Sequence, residues 1–359
     1  MASPAFHALS VRDVRRETAN AVSIAFAVPS ALADIFAFKG GQYLTLKAEI
    51  NGEDVRRTYS ICAAPGDNDL RIAVKRVPGG IFSTYANEAL RPGDRLELLP
   101  AAGHFTENFV SSRAQTYAAF AAGSGITPVI SLIKTALTVE PDSRFTLFYG
   151  NRRSGEILFL EELAALKNRF MARLEIFHFL SGEEDDIALF NGRFSPEKCA
   201  EITATLLEAP AIDRFFICGP EPMMLAAESA LLQAGVAPSR ILLERFAAAG
   251  TSPAQNAHSR QAVQAAAGRR MGVVLEGKRV SVAFDAARGN ILDSVRAAGL
   301  AAPYACKGGV CATCRARLIS GSVEMRRNYG LTLEEVAQGF ILTCQSTPNG
   351  DDVVLTYDL

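Results

Sequence analysis

Short runs of Val, Ile, Leu, Tyr and Thr, interrupted by Gly, Pro, Asn and Asp, fill the chain from residue 5 to about 104; residues 42–48 (QYLTLKA), 58–62 and 70–77 are examples. None carries the 3.6-residue period of an amphipathic helix, so the pattern predicts strands and turns, most economically closed as a small antiparallel barrel. From residue 115 to 246 the pattern changes. Apolar strands at 117–122, 145–150, 174–179, 214–218 and 240–246 alternate with helical segments at 129–137, 161–170 and 223–233. That alternation predicts a parallel sheet with helices on both faces. Residues 247–270 (AAAGTSPAQNAHSRQAVQAAAGRR) fit neither period and read as a tether, whose 24 residues span roughly 25 to 30 Å as a flexible coil. A third unit begins at 271 with a hairpin-like pair, 272–275 and 279–284, and a short helix near 291–298. The expected boundaries are therefore 1–110, 111–246, 247–270 and 271–359.

Composition narrows the class. Across 359 residues, 49% apolar and 21% charged content is that of folded globular domains and not of a disordered chain. Lys and Arg number 37 against 38 Asp and Glu, a net charge of −1 with no basic tail or patch standing out, which argues against nucleic-acid binding and its need for a strongly positive field. Residues 1–17 lack an apolar signal-peptide core, and the most apolar stretch, 117–137, is broken by Gly123, Gly125 and Pro128 and carries Lys134. A cytoplasmic protein without a membrane span is the expectation. The four histidines, His7, His104, His178 and His258, share no ligand spacing and are given no chemistry.

Four of the seven cysteines crowd into the last sixth of the chain. Cys306, Cys311 and Cys314, with Cys344 thirty residues on, have the C-x4-C-x2-C…C spacing of a plant-type [2Fe-2S] site. Gly308 and Gly309 let the loop wrap closely, so that its amides reach sulfur. Zinc is the alternative, but the second C-x2-C pair of a zinc ribbon is missing.

Two glycine-bearing turns end apolar strands and open helices. In the first, Gly123-Ser-Gly125-Ile-Thr127-Pro128 would leave amides and a positive helix end facing a dinucleotide diphosphate; a simple packing turn is the alternative. In the second, Cys218-Gly219-Pro220 would place Cys218 on the carboxyl edge of the same sheet, either at a ligand or as a buried small apolar residue.

In order along the chain, the motifs Arg57-Thr58-Tyr59-Ser60, Gly79-Gly80-Ile81-Phe82-Ser83-Thr84, the Gly123–Pro128 turn, Cys218-Gly219-Pro220 and the cysteine run resemble ferredoxin-NADP reductase-type flavoproteins with a C-terminal ferredoxin domain. The stretches RRTYSIC, AAGSGITP, FYGNR, FICGP, LERF and PYACKGGVCATC are similar to the reductase subunits of bacterial phenylacetyl-CoA epoxidases. This resemblance implies an antiparallel β-barrel FAD domain, an α/β parallel-sheet nucleotide domain and an α+β ferredoxin domain of the β-grasp type. It also implies that Arg57 pairs with the FAD diphosphate, Tyr59 lies on or beside the flavin ring, and Ser60 bonds near flavin N5. Gly80, Ser83 and Thr84 would present amides to the same diphosphate. An exposed Arg, a core Tyr and ordinary helix-capping hydroxyls are the plainer readings of these residues.

In the second domain the resemblance places Thr127 and Cys218 near the nicotinamide, and Asn151 and Arg152 at the adenosine end. Arg152 or Arg153 would neutralise a 2′-phosphate and select NADPH over NADH, although Ser181-Gly182 lacks the basic residue that many NADPH-specific members carry there. Glu244 would return to the flavin as a polar or proton-handling group and Phe246 as its cover; a rim carboxylate and a core Phe are the alternatives. The implied activity is electron transfer from NADPH through FAD and [2Fe-2S] to an oxygenase component, a multi-subunit diiron epoxidase acting on phenylacetyl-CoA. The alternatives are reductases serving a Rieske-type oxygenase, such as a steroid hydroxylase, or a hybrid-cluster protein, and a noncatalytic redox sensor. Nine basic and nine acidic residues from 271 onward give the ferredoxin segment no strong acidic field, so docking is expected to rest on specific contacts or tethering.

Overall fold

The computed structural model describes residues 5–246 and 260–358, so most of the segment read as a tether lies outside the described residues. The described residues pack as two bodies, one of Phe6–Arg245 and one of Phe246 with residues 260–358.

In the first body, β1 (His7–Thr18), β2 (Ala21–Ala27), β3 (Tyr43–Ile50), β4 (Glu53–Ser60), β5 (Leu70–Lys75) and β6 (Arg95–Leu98) form a sheet in the order β4-β3-β6-β1-β2-β5. All its pairings are antiparallel. The two edges meet just past β4, where Ile61 bridges Ile72 and the Cys62 amide donates to the Arg71 carbonyl. That closure is the predicted barrel, filled by residues such as Ile24, Leu44, Leu46 and Ile72. Helix α1 (Ile81–Glu88) adds Phe82 and Ala86 to the same core.

The remainder of this body is a five-stranded sheet: β7 (Thr116–Ala122), β8 (Arg144–Asn151), β9 (Leu174–Leu180), β10 (Arg214–Cys218) and β11 (Ile241–Glu244). Its order is β11-β10-β7-β8-β9 and every pairing is parallel. Helices α2 (Ile126–Val139), α3 (Leu160–Arg169), α4 (Pro196–Thr205) and α5 (Glu221–Gln233) connect the strands. The chain runs from β7 outward to β9 and then returns beside β7 as β10, so the direction of winding reverses between β7 and β10. In open α/β sheets the crevice beyond such a reversal is where ligands sit. Helix α2 is apolar nearly all round because it is covered twice, by the sheet and by the barrel. Helix α4 has no strong apolar stripe and was not predicted; Ser195 caps it by accepting from the Lys198 amide, Pro196 follows as its first residue, and only Cys199, Ile202 and Thr203 are buried.

In the second body β12 (Arg270–Leu275) and β13 (Lys278–Ala283) form the expected hairpin. With β14 (Arg315–Ser320), β16 (Phe340–Leu342) and β18 (Val354–Thr356) they make a sheet ordered β13-β12-β18-β14-β16, while β15 (Val323–Met325) pairs with β17 (Ser346–Pro348). Only β12 and β18 run parallel. The helix Ile291–Ala297 packs Ile291, Leu292 and Val295 into this core, giving the α+β arrangement expected for the ferredoxin part. Residues 260–265 are helical, and Val263 and Ala266 are buried in the same core. The end of the segment read as a tether therefore has a packed role: its small residues hide an apolar pair too sparse to register as periodicity. Among the described residues no helix is long and apolar enough to cross a membrane.

Candidate functional site

Parallel pairing sets Ala121, Cys218 and Glu244 side by side at the carboxyl edge of β7, β10 and β11. Immediately beyond, two loops cross. A Cβ on Gly125 would lie 2.0 Å from the Cys218 carbonyl oxygen, and one on Gly219 would lie 2.7 Å from Met223 Sδ and 3.2 Å from the Ala122 amide nitrogen. Gly125 has no room for a side chain, and at Gly219 Met223 would have to move and the Ala122 backbone to give, so backbone forms the floor of the crevice. Gly123 adopts φ +54° and its carbonyl accepts from the Tyr149 hydroxyl at 3.0 Å. Gly125 caps α2 without a side chain, Thr127 is buried with its hydroxyl donated to the Ser124 carbonyl at 2.9 Å, and Pro128 occupies the first turn, where no amide is needed. Cys218 is fully buried, and burial followed by the Glu244 charge holds its thiol well above the ordinary value. It is thus a neutral group there.

Asn151 ends β8 at 8% exposure, and both polar atoms of its side chain are buried without a hydrogen-bond partner. A buried orphan amide costs about 1–3 kcal/mol, which a ligand at the adenosine end can offset. Arg152 and Arg153 are exposed beside it. Ser181 and Gly182 donate their amides to the Asn151 and Arg152 carbonyls, drawing the ends of β8 and β9 together. Glu183, which the motif reading passed over, accepts from the Ser154 amide at 3.1 Å and hydroxyl at 3.3 Å and so anchors the arginine loop.

On the barrel, β4 and α1 come together through Tyr59 and Phe82, whose ring centroids are 5.4 Å apart. Arg57 is exposed, with its guanidinium donating to the Arg56 carbonyl; Ser60 is buried. Gly80 caps α1 with no side chain over the first-turn amides. Ser83 Oγ accepts from the Val77 amide and donates to the Gly80 carbonyl, and the Thr84 amide is bonded to that same carbonyl. The hydroxyl of Ser83 and the amide of Thr84 are therefore engaged within the turn itself, which leaves the first-turn amides of residues 81–83 to meet an anion. A side-chain-free helix start, and an exposed guanidinium two residues before the Tyr59 that packs on that helix, are groups that fit a diphosphate. Glu244 is only 9% exposed, not on the rim, and burial lifts its carboxyl to about 8. Phe246 is partly buried and packs with the C-terminal body.

The four clustered cysteines form two pairs. Cys306 Sγ accepts the Gly308 amide at 3.3 Å and the Cys311 amide at 3.4 Å, while Cys311 Sγ accepts the Cys306 amide at 3.3 Å. Hydrogen bonding from Cys311 pulls the Cys306 thiol down to about 6, and hydrogen bonding from Cys314 likewise lowers Cys344; the two donors are raised. Gln345 Nε2 donates to the Lys307 carbonyl at 2.8 Å and to Cys344 Sγ at 3.5 Å, tying the pairs together. Lys307 and Ala312 adopt φ +51° and +48°, and Gly309 φ +81°, which turns the loop inward. Among the described residues no three potential ligands converge on a single metal position. Two thiol pairs with amides aimed at sulfur instead fit a group with two metal positions, each taking two thiolates.

Motif reading missed Ser131, a polar residue with no exposure in the middle of α2. Its signal is a hydroxyl within an otherwise apolar helical run, since a buried polar group demands a partner.

Residues 8–106 match the oxidoreductase FAD-binding domain family, 120–229 the oxidoreductase NAD-binding domain family and 273–349 the 2Fe-2S iron-sulfur cluster binding domain family. The chain is 42% identical to one of the subunits of the 1,2-phenylacetyl-CoA epoxidase of Escherichia coli (strain K12), over 98% of both chains. It is 33% identical to the ferredoxin reductase component of 3-ketosteroid-9-alpha-monooxygenase of Rhodococcus rhodochrous, over 97% of this chain and 96% of that one. The solved structure of phthalate dioxygenase reductase shares its fold, with a TM-score of 0.62 at 23% identity over 98% of both chains. With its barrel, parallel sheet and paired cysteines in the matching order, the chain belongs to the family of oxidoreductases that join an FAD-binding, an NAD-binding and a [2Fe-2S] domain, the family of oxygenase reductase components.

Proposed function

We propose that this protein takes electrons from NADPH and delivers them to the oxygenase component of a multi-subunit complex, a diiron epoxidase acting on phenylacetyl-CoA. The observation that carries the choice of partner is full-length similarity to the epoxidase protein at 42% identity, against 33% for the steroid monooxygenase reductase. When bound, FAD accepts the electron pair of a nicotinamide and passes electrons singly to a [2Fe-2S] cluster. The chain's own residues seat and orient these groups. Arg57 and the first turn of α1 hold the FAD diphosphate, Tyr59 covers the ring and Ser60 bonds at its edge. Gly123, Gly125, Gly219 and Pro220 bring backbone to the nucleotide diphosphate, Thr127 and Cys218 border the nicotinamide, and Asn151 and Arg152 take the adenosine end. Cys306, Cys311, Cys314 and Cys344 bind the cluster. Mixing the purified protein with the epoxidase core, NADPH and phenylacetyl-CoA tests the assignment: epoxide should accumulate. Turnover with a Rieske-type steroid oxygenase and none with the epoxidase would overturn it.

The exposed guanidinium of Arg152 favours the 2′-phosphate, while Glu183 limits the preference by placing a carboxylate on the same loop. Arg152→Ala should raise KM for NADPH by about 10-fold while leaving KM for NADH within a factor of two. Equal changes for the two nucleotides would remove Arg152 from this role.

Glu244 supplies a pH signature. Its folded carboxyl, at about 8, keeps a proton that the unfolded chain, at an ordinary 4.5, gives up. The folded state thus binds more protons between those values, and stability falls as pH rises through the window. Glu244→Gln cannot ionise and should remove about 3 kcal/mol of that decline between pH 5 and 8. Unfolding midpoints of the two proteins across that range provide the check, and parallel pH profiles would show that Glu244 is ordinarily ionised.

A further inference from the structure

Efficient hydride transfer requires donor and acceptor atoms held about 3–3.5 Å apart, and an error of about 1 Å can cost about 100-fold in rate. In this protein the nucleotide seat lies at the start of α2 and the flavin seat at the end of β4, two elements of different layers. Their separation must be set where the layers touch. Ser131 is one helical turn beyond Thr127 and has no exposure. Its hydroxyl donates to the Ala63 carbonyl at 2.6 Å, three residues beyond Ser60, and accepts the Gly41 amide at 3.4 Å. Gly41 in turn precedes Gln42, whose carbonyl accepts the Ile61 amide at 2.8 Å. One hydroxyl therefore grips the barrel on both sides of the residue that follows Ser60.

The surroundings make this grip specific. Gly40 and Gly41 allow the barrel loop to descend onto α2: a Cβ on Gly40 would lie 2.7 Å from Thr135 Oγ1, and one on Gly41 would lie 3.3 Å from Leu132 Cδ2 of α2 and 1.9 Å from the Phe105 carbonyl oxygen. Thr135 donates back to the Ser131 carbonyl at 2.6 Å, fixing the next turn. Lys134 reaches the Cys62 carbonyl at 3.3 Å, but its ammonium is shared with Asp67 and Glu162 nearer solvent. The buried, short and two-sided link is that of Ser131.

We infer that Ser131 is a positioning residue for hydride transfer, holding the nucleotide seat of α2 in register with the flavin seat of β4 through the Ala63 carbonyl and the Gly41 amide. This rests on the reading of those seats given above. Ser131→Ala in the full-length, flavin-loaded protein should slow flavin reduction by NADPH, measured per bound flavin in stopped flow, by about 10- to 100-fold. KM for NADPH should stay within threefold, because the nucleotide loop itself is intact. The long-wavelength absorbance of the nicotinamide–flavin complex should weaken, the primary isotope effect with deuterated nucleotide should grow, and the Gly41 amide should exchange faster in hydrogen–deuterium measurements. Ser131→Thr, which keeps the hydroxyl, should recover most of the rate. An unchanged rate per bound flavin in Ser131→Ala, or an equal loss in Ser131→Thr, would overturn the inference. Failure of the unaltered protein to oxidise NADPH would instead overturn the functional reading beneath it.

Discussion

Cys314→Ser should abolish the iron–sulfur absorbance and the paramagnetic signal of the reduced protein, and lower electron delivery to the oxygenase by at least about 100-fold. Reduction of ferricyanide by NADPH, which needs only the first body, should stay within twofold of the unaltered protein. The expectation follows from burial and support. Cys314 and Cys344 are 3% and 2% exposed, and Cys306 belongs to the more open pair. The Cys314 carbonyl accepts the Thr343 hydroxyl at 2.8 Å, and Tyr357 donates to that same hydroxyl oxygen at 3.0 Å. The inner pair is thus set by a buried chain of hydrogen bonds joining two strands and the turn that bears Cys344. A serine there keeps its geometry but offers a harder, more basic oxygen in place of a thiolate. Cys306→Ser, on the outer pair, should retain a larger fraction of the cluster. A Cys314→Ser protein with an intact visible spectrum would show that the metal is held elsewhere.

The features legible in the sequence are those in which a local constraint forces residue identity. Gly125 and Gly219 are required because the backbones of two loops cross in contact, and cysteines at fixed spacing are required because a cluster accepts little else. Short apolar runs broken by turn residues likewise announced the barrel, and the alternation of strand and helix signals announced the parallel sheet. The pairing of the cysteines was not legible, because it depends on Gln345 and Thr343 arriving on the turn after β16. The unpartnered amide of Asn151 and the raised carboxyl of Glu244 were hidden for a similar reason: burial is a property of the packed molecule, and no residue near either position in sequence signals it. Helix α4 escaped because three buried residues make too narrow a stripe, leaving its capping serine and proline as its main signal. Ser131 stood in plain view, yet its partners lie 68 and 90 residues away along the chain.

Gly125→Ala should destabilise the first body by about 3 kcal/mol or more and eliminate binding of NADPH, whereas Gly123→Ala should cost about 1 kcal/mol and retain it. Both positions lie in one motif, and sequence gives no reason to rank them. At Gly125 the new methyl would meet the Cys218 carbonyl oxygen at 2.0 Å, a backbone atom of β10 that cannot rotate aside. Relief requires α2 to lift from the sheet or β10 to retreat. The first movement displaces Thr127 and pulls Ser131 from Ala63; the second moves Cys218 away from Ala121 and Glu244. At Gly123 nothing lies within 4 Å, so the added methyl meets open space and the cost is that of holding alanine at φ +54°. The Tyr149 hydroxyl can still donate to the residue 123 carbonyl. Unfolding midpoints and titration with oxidised nucleotide, which binds without turnover, separate the two variants. Equal nucleotide affinity in both would mean that the crossing of these loops does not form the nucleotide seat.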